Sequence, residues 1–84
     1  MPRYFFDLYD DLVASDDDGR ELPDLDAAKR HAIKEARQMI AASTTEQGKI
    51  DLLHYIKVRD ELGAEVCCIE FEDAVKVQRG GRPV

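Results

Sequence analysis

Tryptophan is absent from this 84-residue chain, and aromatic residues of any kind make up only 7% of it. A chain this short has room for one domain. Burying only about 60–65% of its unfolded surface, it has little to spare for a deep, water-excluding cleft. No apolar run approaches the ~20 residues that span a bilayer. The start, Met1 to Asp7, lacks the long apolar region and small-residue cleavage site of a signal peptide. Only two cysteines occur, and they are adjacent, Cys67 and Cys68. Secreted domains of this size carry several disulfides, so this usage fits a reducing compartment, and a cytoplasmic location is expected. None of the five glycines (19, 48, 63, 80 and 81) falls in a phosphate-binding loop. Neither Ser15 nor Ser43 has a nearby histidine or the glycines of a nucleophile elbow. Catalysis is not expected.

Charge is plentiful but uneven. The formal net charge is −6, and residues 1–26 carry nine acids against Arg3 and Arg20 alone. Residues 27–84 hold ten bases and nine acids. A cluster at Asp16, Asp17 and Asp18 forms the centre of an acidic patch suited to solubility or to steering a basic protein partner. Phosphate is repelled by such a surface. Nucleic-acid binding through Lys29, Arg30, Lys34, Arg37 and the Arg79 and Arg82 tail is therefore opposed by the overall charge.

Periodicity predicts an α+β domain: a small antiparallel sheet of three to four strands with one helix packed on one face, in the order β(β)αββ, spanning residues 1–78. Residues 3–9 alternate as a strand, with Tyr4, Phe6 and Leu8 on one face and Phe5, Asp7 and Tyr9 on the other. Residues 12–14 suit a short second strand, and Gly19 supplies turn chemistry. Residues 21–23 are extended at best, because Pro23 disfavours helix at Leu22. A helix is predicted over residues 25–42, capped by Asp24 or Asp26, with Leu25, Ala28, Ala32, Ala36, Met39 and Ile40 as its apolar stripe. Residues 43–48 then form a loop. A second clear strand, after that of residues 3–9, is expected over 50–60, with a hairpin turn at Gly63, a return strand over 65–71, and an extension or short last strand over 74–78. Residues 79–84 read as a flexible tail.

One helix covers one sheet face, yet these strands are apolar on both. Phe5 and Tyr9 would face outward near Leu53 and Tyr55, and an exposed aromatic patch of this kind marks an interface. Phe5, Tyr9, Leu53 and Tyr55 are thus the candidate interface, and a homodimer formed through the sheet face or a strand edge is expected. Val66 and Cys68 are placed on one face, with Cys67, Ile69 and Phe71 on the other.

The opening Pro2-Arg3-Tyr4-Phe5-Phe6-Asp7, the stretch from Asp17 to Ala28 that contains Gly19-Arg20-Glu21-Leu22-Pro23-Asp24, and Val58-Arg59-Asp60-Glu61-Leu62-Gly63 resemble a family of small uncharacterised bacterial proteins, a domain of unknown function. The resemblance covers residues 2–77. It implies a bacterial, soluble, single-domain protein and supplies no catalytic residues. A second likeness, of topology over residues 3–42, is to the partner-binding domain of HicB-type antitoxins. It implies that such a fold can serve as a protein-binding module. No separate DNA-binding segment follows the domain, so a repressor role is not expected.

The remaining constellations carry little chemistry. Successive strand residues point to opposite faces, so Cys67 and Cys68 cannot jointly chelate a metal, and no Lys or His beside them lowers a thiol pKa. His31 and His54 lack the local ligand spacing of a zinc site. The aspartates from Asp16 fail the calcium-loop pattern, since the twelfth position is Ala27. No metal or cofactor is expected. The leading expectation is a non-enzymatic, self-associating interaction module. The alternative is a small ligand- or metal-binding sensor that uses the acidic loop or His54.

Overall fold

The computed structural model describes residues 1–77. The expected tail, residues 79–84, lies outside the described residues. Five strands, one long helix and a final helical turn follow in the order β1 (Arg3–Tyr9), β2 (Val13–Ala14), β3 (Arg20–Glu21), α1 (Leu25–Gln47), β4 (Tyr55–Arg59), β5 (Glu65–Glu70) and α2 (Phe71–Ala74). The fold is α+β, a helix on an antiparallel sheet, with one strand more than the upper expectation. All pairings are antiparallel, along the path β2-β1-β4-β5, and β3 pairs with β1 as well.

The extra strand comes from the way β1 is partnered. β3 pairs with Arg3 and Tyr4, and β2 pairs with Leu8 and Tyr9, on the edge of β1 away from β4. Pro23 does exclude helix, but two residues upstream Arg20 and Glu21 still complete a short ladder. The acidic turn is therefore an excursion between two short strands that share one neighbour.

Helix α1 begins where Asp24, in extended backbone, accepts a 2.8 Å hydrogen bond from the Ala27 N–H. It runs five residues beyond the expected end. The Thr44 hydroxyl bonds back to the Ile40 carbonyl at 2.8 Å, so a residue of modest helix propensity is satisfied within the helix. Termination waits for Gly48, which takes the left-handed conformation (φ 63°) and donates to the Thr44 carbonyl. Ala28, Ala32 and Ala36 are fully buried at four-residue spacing. Their small side chains let the helix backbone approach the sheet, and Tyr4, Phe6, Ile56 and Val58 fill the space from below. The helix lies over β4 and β5. It leaves a groove of about 490 Å³ between its Glu35–Met39–Ala42 side and the β1–β2 edge.

Three other expectations are corrected. The second long strand begins at Tyr55, because Asp51 and the residues after it form a turn in which the Asp51 carboxylate accepts from the Leu53 N–H. Ile50 and Leu53 are exposed there. The return strand ends at Glu70, because Phe71–Ala74 form α2, whose Phe71 and Ala74 are buried, and among the described residues no strand follows over 74–77. Its Ala74 carbonyl accepts from the Arg37 guanidinium at 2.6 Å. Val66 packs against the core beside Cys67 instead of facing outward with Cys68. The pairing shifts between Val58 and Arg59, so that Cys67 opposes Val58 while Glu65 opposes Arg59. Val66 is the extra residue of a β-bulge, and the usual alternation breaks there.

Core truncation gives the first prediction. Ile56→Ala should cost about 2–4 kcal/mol in urea unfolding, whereas Leu62→Ala, at a fully solvated hairpin tip, should change stability by less than about 0.5 kcal/mol.

Candidate functional site

The face of the sheet opposite α1 carries every candidate interface residue that lies on a strand. Phe5, Asp7 and Tyr9 of β1 stand beside Arg59, Lys57 and Tyr55 of β4, in the register Phe5–Arg59, Asp7–Lys57 and Tyr9–Tyr55. The two ends of this face have different characters.

At the Phe5 end the face is closed by the protein itself. Asp7 is only 5% exposed. Its carboxylate takes a two-pronged contact from Arg59, Nε at 2.5 Å and Nη2 at 3.0 Å, and a 2.9 Å hydrogen bond from the Asp16 N–H. Arg59 also donates to the Asp16 carbonyl and lies over the Phe5 ring, 5.1 Å from its centroid. The Asp16 carboxylate in turn accepts from the N–H groups of Phe6, Asp18 and Gly19, each at 3.1 Å. Phe6 falls in the gap between the β2 and β3 pairings, and this side chain supplies the acceptor that a continuous strand would have provided. Gly19, at φ 69°, sits so close that a Cβ there would come within 2.8 Å of the Phe5 ring and 2.9 Å of the Arg3 side chain. Phe5 is thus covered by Gly19 and Arg59.

The acidic patch is correspondingly smaller than expected. Asp16 is half-buried and its carboxylate is consumed by backbone donors, leaving Asp17 and Asp18 exposed. Ionisation follows the same geometry. The Arg59 guanidinium holds the Asp7 carboxyl below its ordinary value of 3.8. Burial works against the charged form of Asp16, but bonds from Gly19, Phe6 and Asp18 outweigh it and lower that pKa too.

The other end of the face is open. Tyr9 and Tyr55 stack in parallel, centroids 4.9 Å apart and planes within 6°. Lys57 Nζ lies 4.9 Å from the Tyr9 centroid and pairs with Glu65 at 3.3 Å. Val13, opposite Tyr9 in the ladder, is 61% exposed, and Leu12 beside it is exposed too. Leu53 is not on the sheet; it projects from the turn two residues before Tyr55 and is 84% exposed. Sequence reasoning missed Val13 and Lys57. A two-residue strand gives no alternation to read, and a lysine between Ile56 and Val58 signals solvent until its cross-strand neighbours are known.

The remaining candidates lie apart. His31 is half-buried, packed edge-on against Phe6 and 3.5 Å from Glu35. His54 sits edge-on against Phe71, and its buried Nε2 is 3.1 Å from Asp51 Oδ2 without hydrogen-bond alignment. It borders a recess of about 260 Å³ shared with Asp10, Asp11 and Glu46. Among the described residues, no group of three or more His, Cys, Asp or Glu side chains is placed to hold a metal ion, and no helix is long and apolar enough to cross a membrane. Cys67 and Cys68 are free, the first half-buried and the second exposed. Burial pushes both thiols up, away from nucleophilic character; contrary to expectation a lysine opposes it at each, Lys29 at Cys67 and Lys57 at Cys68, but neither outweighs it.

Both lowered carboxyl groups stabilise the fold above the ordinary carboxylate pKa and lose that contribution as pH falls through their folded values. The protein should therefore lose stability below about pH 4. Asp7→Asn should cost about 2–3 kcal/mol at pH 7 and flatten this acid limb, whereas Asp17→Asn should do neither. Urea unfolding at a series of pH values reads both effects.

No curated protein and no solved structure matches the chain. The family model described as a domain of unknown function, DUF6894, matches residues 3–72, from the first residue of β1 into α2. With the Asp7–Asp16–Arg59 network and both ends of the open face inside that span, the chain belongs to the DUF6894 family.

Proposed function

We propose that this protein is a non-enzymatic interaction module of the bacterial cytoplasm that self-associates through the open face of its sheet. The observation that carries the reading is the Tyr9–Tyr55 stack, two parallel rings on a sheet face that no described element covers, bordered by exposed Val13 and Leu12. Aromatic side chains present large contact area at low entropic cost and dominate interface energetics. A second copy offers the same patch, and a two-fold axis lets each pair of rings meet its counterpart. Lys57 adds a polar anchor that can remain paired with Glu65 at the rim. The adjacent, unlinked cysteines suit a reducing compartment. Exposed Asp17 and Asp18 stay available to steer a basic protein partner.

Sedimentation equilibrium on the wild type and on Tyr55→Asp tests this reading. A wild-type dimer whose dissociation constant rises at least about tenfold in the variant is expected, since two carboxylates would be buried across the axis. A wild-type monomer at high micromolar concentration would sink the proposal.

The alternative, a small ligand- or metal-binding sensor, draws its main support from His54, because in the acidic loop the Asp16 carboxylate is occupied and only Asp17 and Asp18 stay exposed. Its support is the buried, unaligned Nε2 beside the acidic recess. A rise in melting temperature with zinc that is lost in His54→Gln is what this reading predicts, and a flat response removes it.

A further inference from the structure

The sheet has two outer edges, and they are not alike. On one side, β2 and β3 are two residues each, too short to template another strand. On the other side, β5 runs for six residues, Glu65–Glu70, without proline, glycine, lysine or arginine. Among the described residues it pairs with β4 alone, and no other backbone hydrogen bond reaches it. An unprotected edge of this length presents a row of N–H and C=O groups to any extended chain.

Charge decides which chain fits. The row of β5 that shares the open face reads Glu70, Cys68 and, after the bulge, Glu65, opposite Tyr55, Lys57 and Arg59 of β4. Glu70 is exposed and crowded by acids: the Glu72 carboxyl beside it, and then the charge of Asp73, hold its own carboxyl above the ordinary value. Glu65 shares its carboxylate with Lys57 at 3.3 Å, whereas no basic side chain forms an ion pair with Glu70, Glu72 or Asp73 among the described residues. Pairing with a second copy would bring together two strands that are acidic at both ends and carry no basic residue, and like charges close across a ladder destabilise it. The row on the helix side, Val66, Cys67 and Ile69, is half-buried and apolar.

We infer that the free edge of β5 binds an extended basic segment of a partner protein by strand addition. That segment would have cationic residues at its two ends on the open-face side and β-branched residues between them toward the helix side. The carboxylates at Glu65 and Glu70 favour such a segment and disfavour a second copy of this chain, so the edge and the aromatic face take different occupants. This edge adjoins the Tyr9–Tyr55 patch, since Glu65 pairs with Lys57 and Glu70 lies opposite Tyr55, but its test reads the β5 amides and not self-association.

The experiment titrates the full-length ¹⁵N-labelled protein with the acetylated, amidated peptide Lys-Val-Ser-Val-Lys. In parallel it uses Glu-Val-Ser-Val-Glu and a copy of the basic peptide N-methylated on alternate amides. The basic peptide should shift the amides of residues 65–70 most. The acidic peptide should not bind. N-methylation should abolish the shifts, because it removes ladder donors and leaves the charge unchanged. Glu65→Lys with Glu70→Lys should weaken the basic peptide by about tenfold or more, while Val13→Asp, at the opposite edge of the sheet, should leave it unaffected. Four outcomes would overturn the proposal: shifts centred on Asp17 and Asp18, equal binding by the N-methylated peptide, equal binding by the acidic one, or β5 protected in the peptide-free protein by pairing with a second copy. If the double lysine variant does not fold, the N-methylated and acidic peptides still decide the question on the wild type.

Discussion

A carboxylate, a guanidinium and a stretch of backbone, Asp7, Arg59 and residues 16–19, meet on the outer face of the sheet, and most of the architecture around them answers to that meeting. Asp7 is buried, so its charge is tolerable only while Arg59 and the Asp16 N–H are in place. Arg59 holds its position by lying on Phe5 and by reaching the Asp16 carbonyl. Asp16 then substitutes for a missing stretch of strand by accepting from Phe6. The loop that looks like a solvated acidic turn is a covalent detour whose side chain completes the sheet. Its glycine is required in two ways: for the left-handed backbone, and for the absence of a Cβ against the Phe5 ring.

Where local chemistry sets the structure, the sequence is readable. The helix start at Asp24, the Ala28–Ala32–Ala36 stripe, the inward set Tyr4, Phe6 and Leu8, and the hairpin at Gly63 all follow from spacing and turn residues. The errors fall where a distant partner decides. Nothing in the local sequence distinguishes Asp16 from Asp17 or Asp18, because the difference is made by backbone donors and an arginine 43 residues away. The Val66 bulge shows only when Cys67 and Glu65 are aligned against Val58 and Arg59. Helix α1 outlasts its apolar stripe because Thr44 is satisfied in place and no left-handed residue comes before Gly48.

The candidate face divides along the same line. Phe5 and Tyr9 are two alternating aromatics of one strand and look equivalent in the sequence. The loop and Arg59 cover the first, and the second stacks in the open on Tyr55. The pairing of β1 with β4, clasped at the Phe5 end by Asp7 and Arg59, sets Tyr9 directly opposite Tyr55, so the half-buried pair of rings is preorganised by the buried network.

The span of the Asp7–Arg59 pair also constrains the order of folding. The Asp16 carboxylate bonds to Asp18, Gly19 and Phe6 are closed by loops of at most ten residues, whereas Arg59 must return across 52 positions, with the whole of α1 between. Closing so long a loop is costly until the helix has docked and β4 has paired. Asp7 alone is a charge that resists burial of the aromatic strand around it, and only the contact with Arg59 turns it into the clasp of the finished sheet.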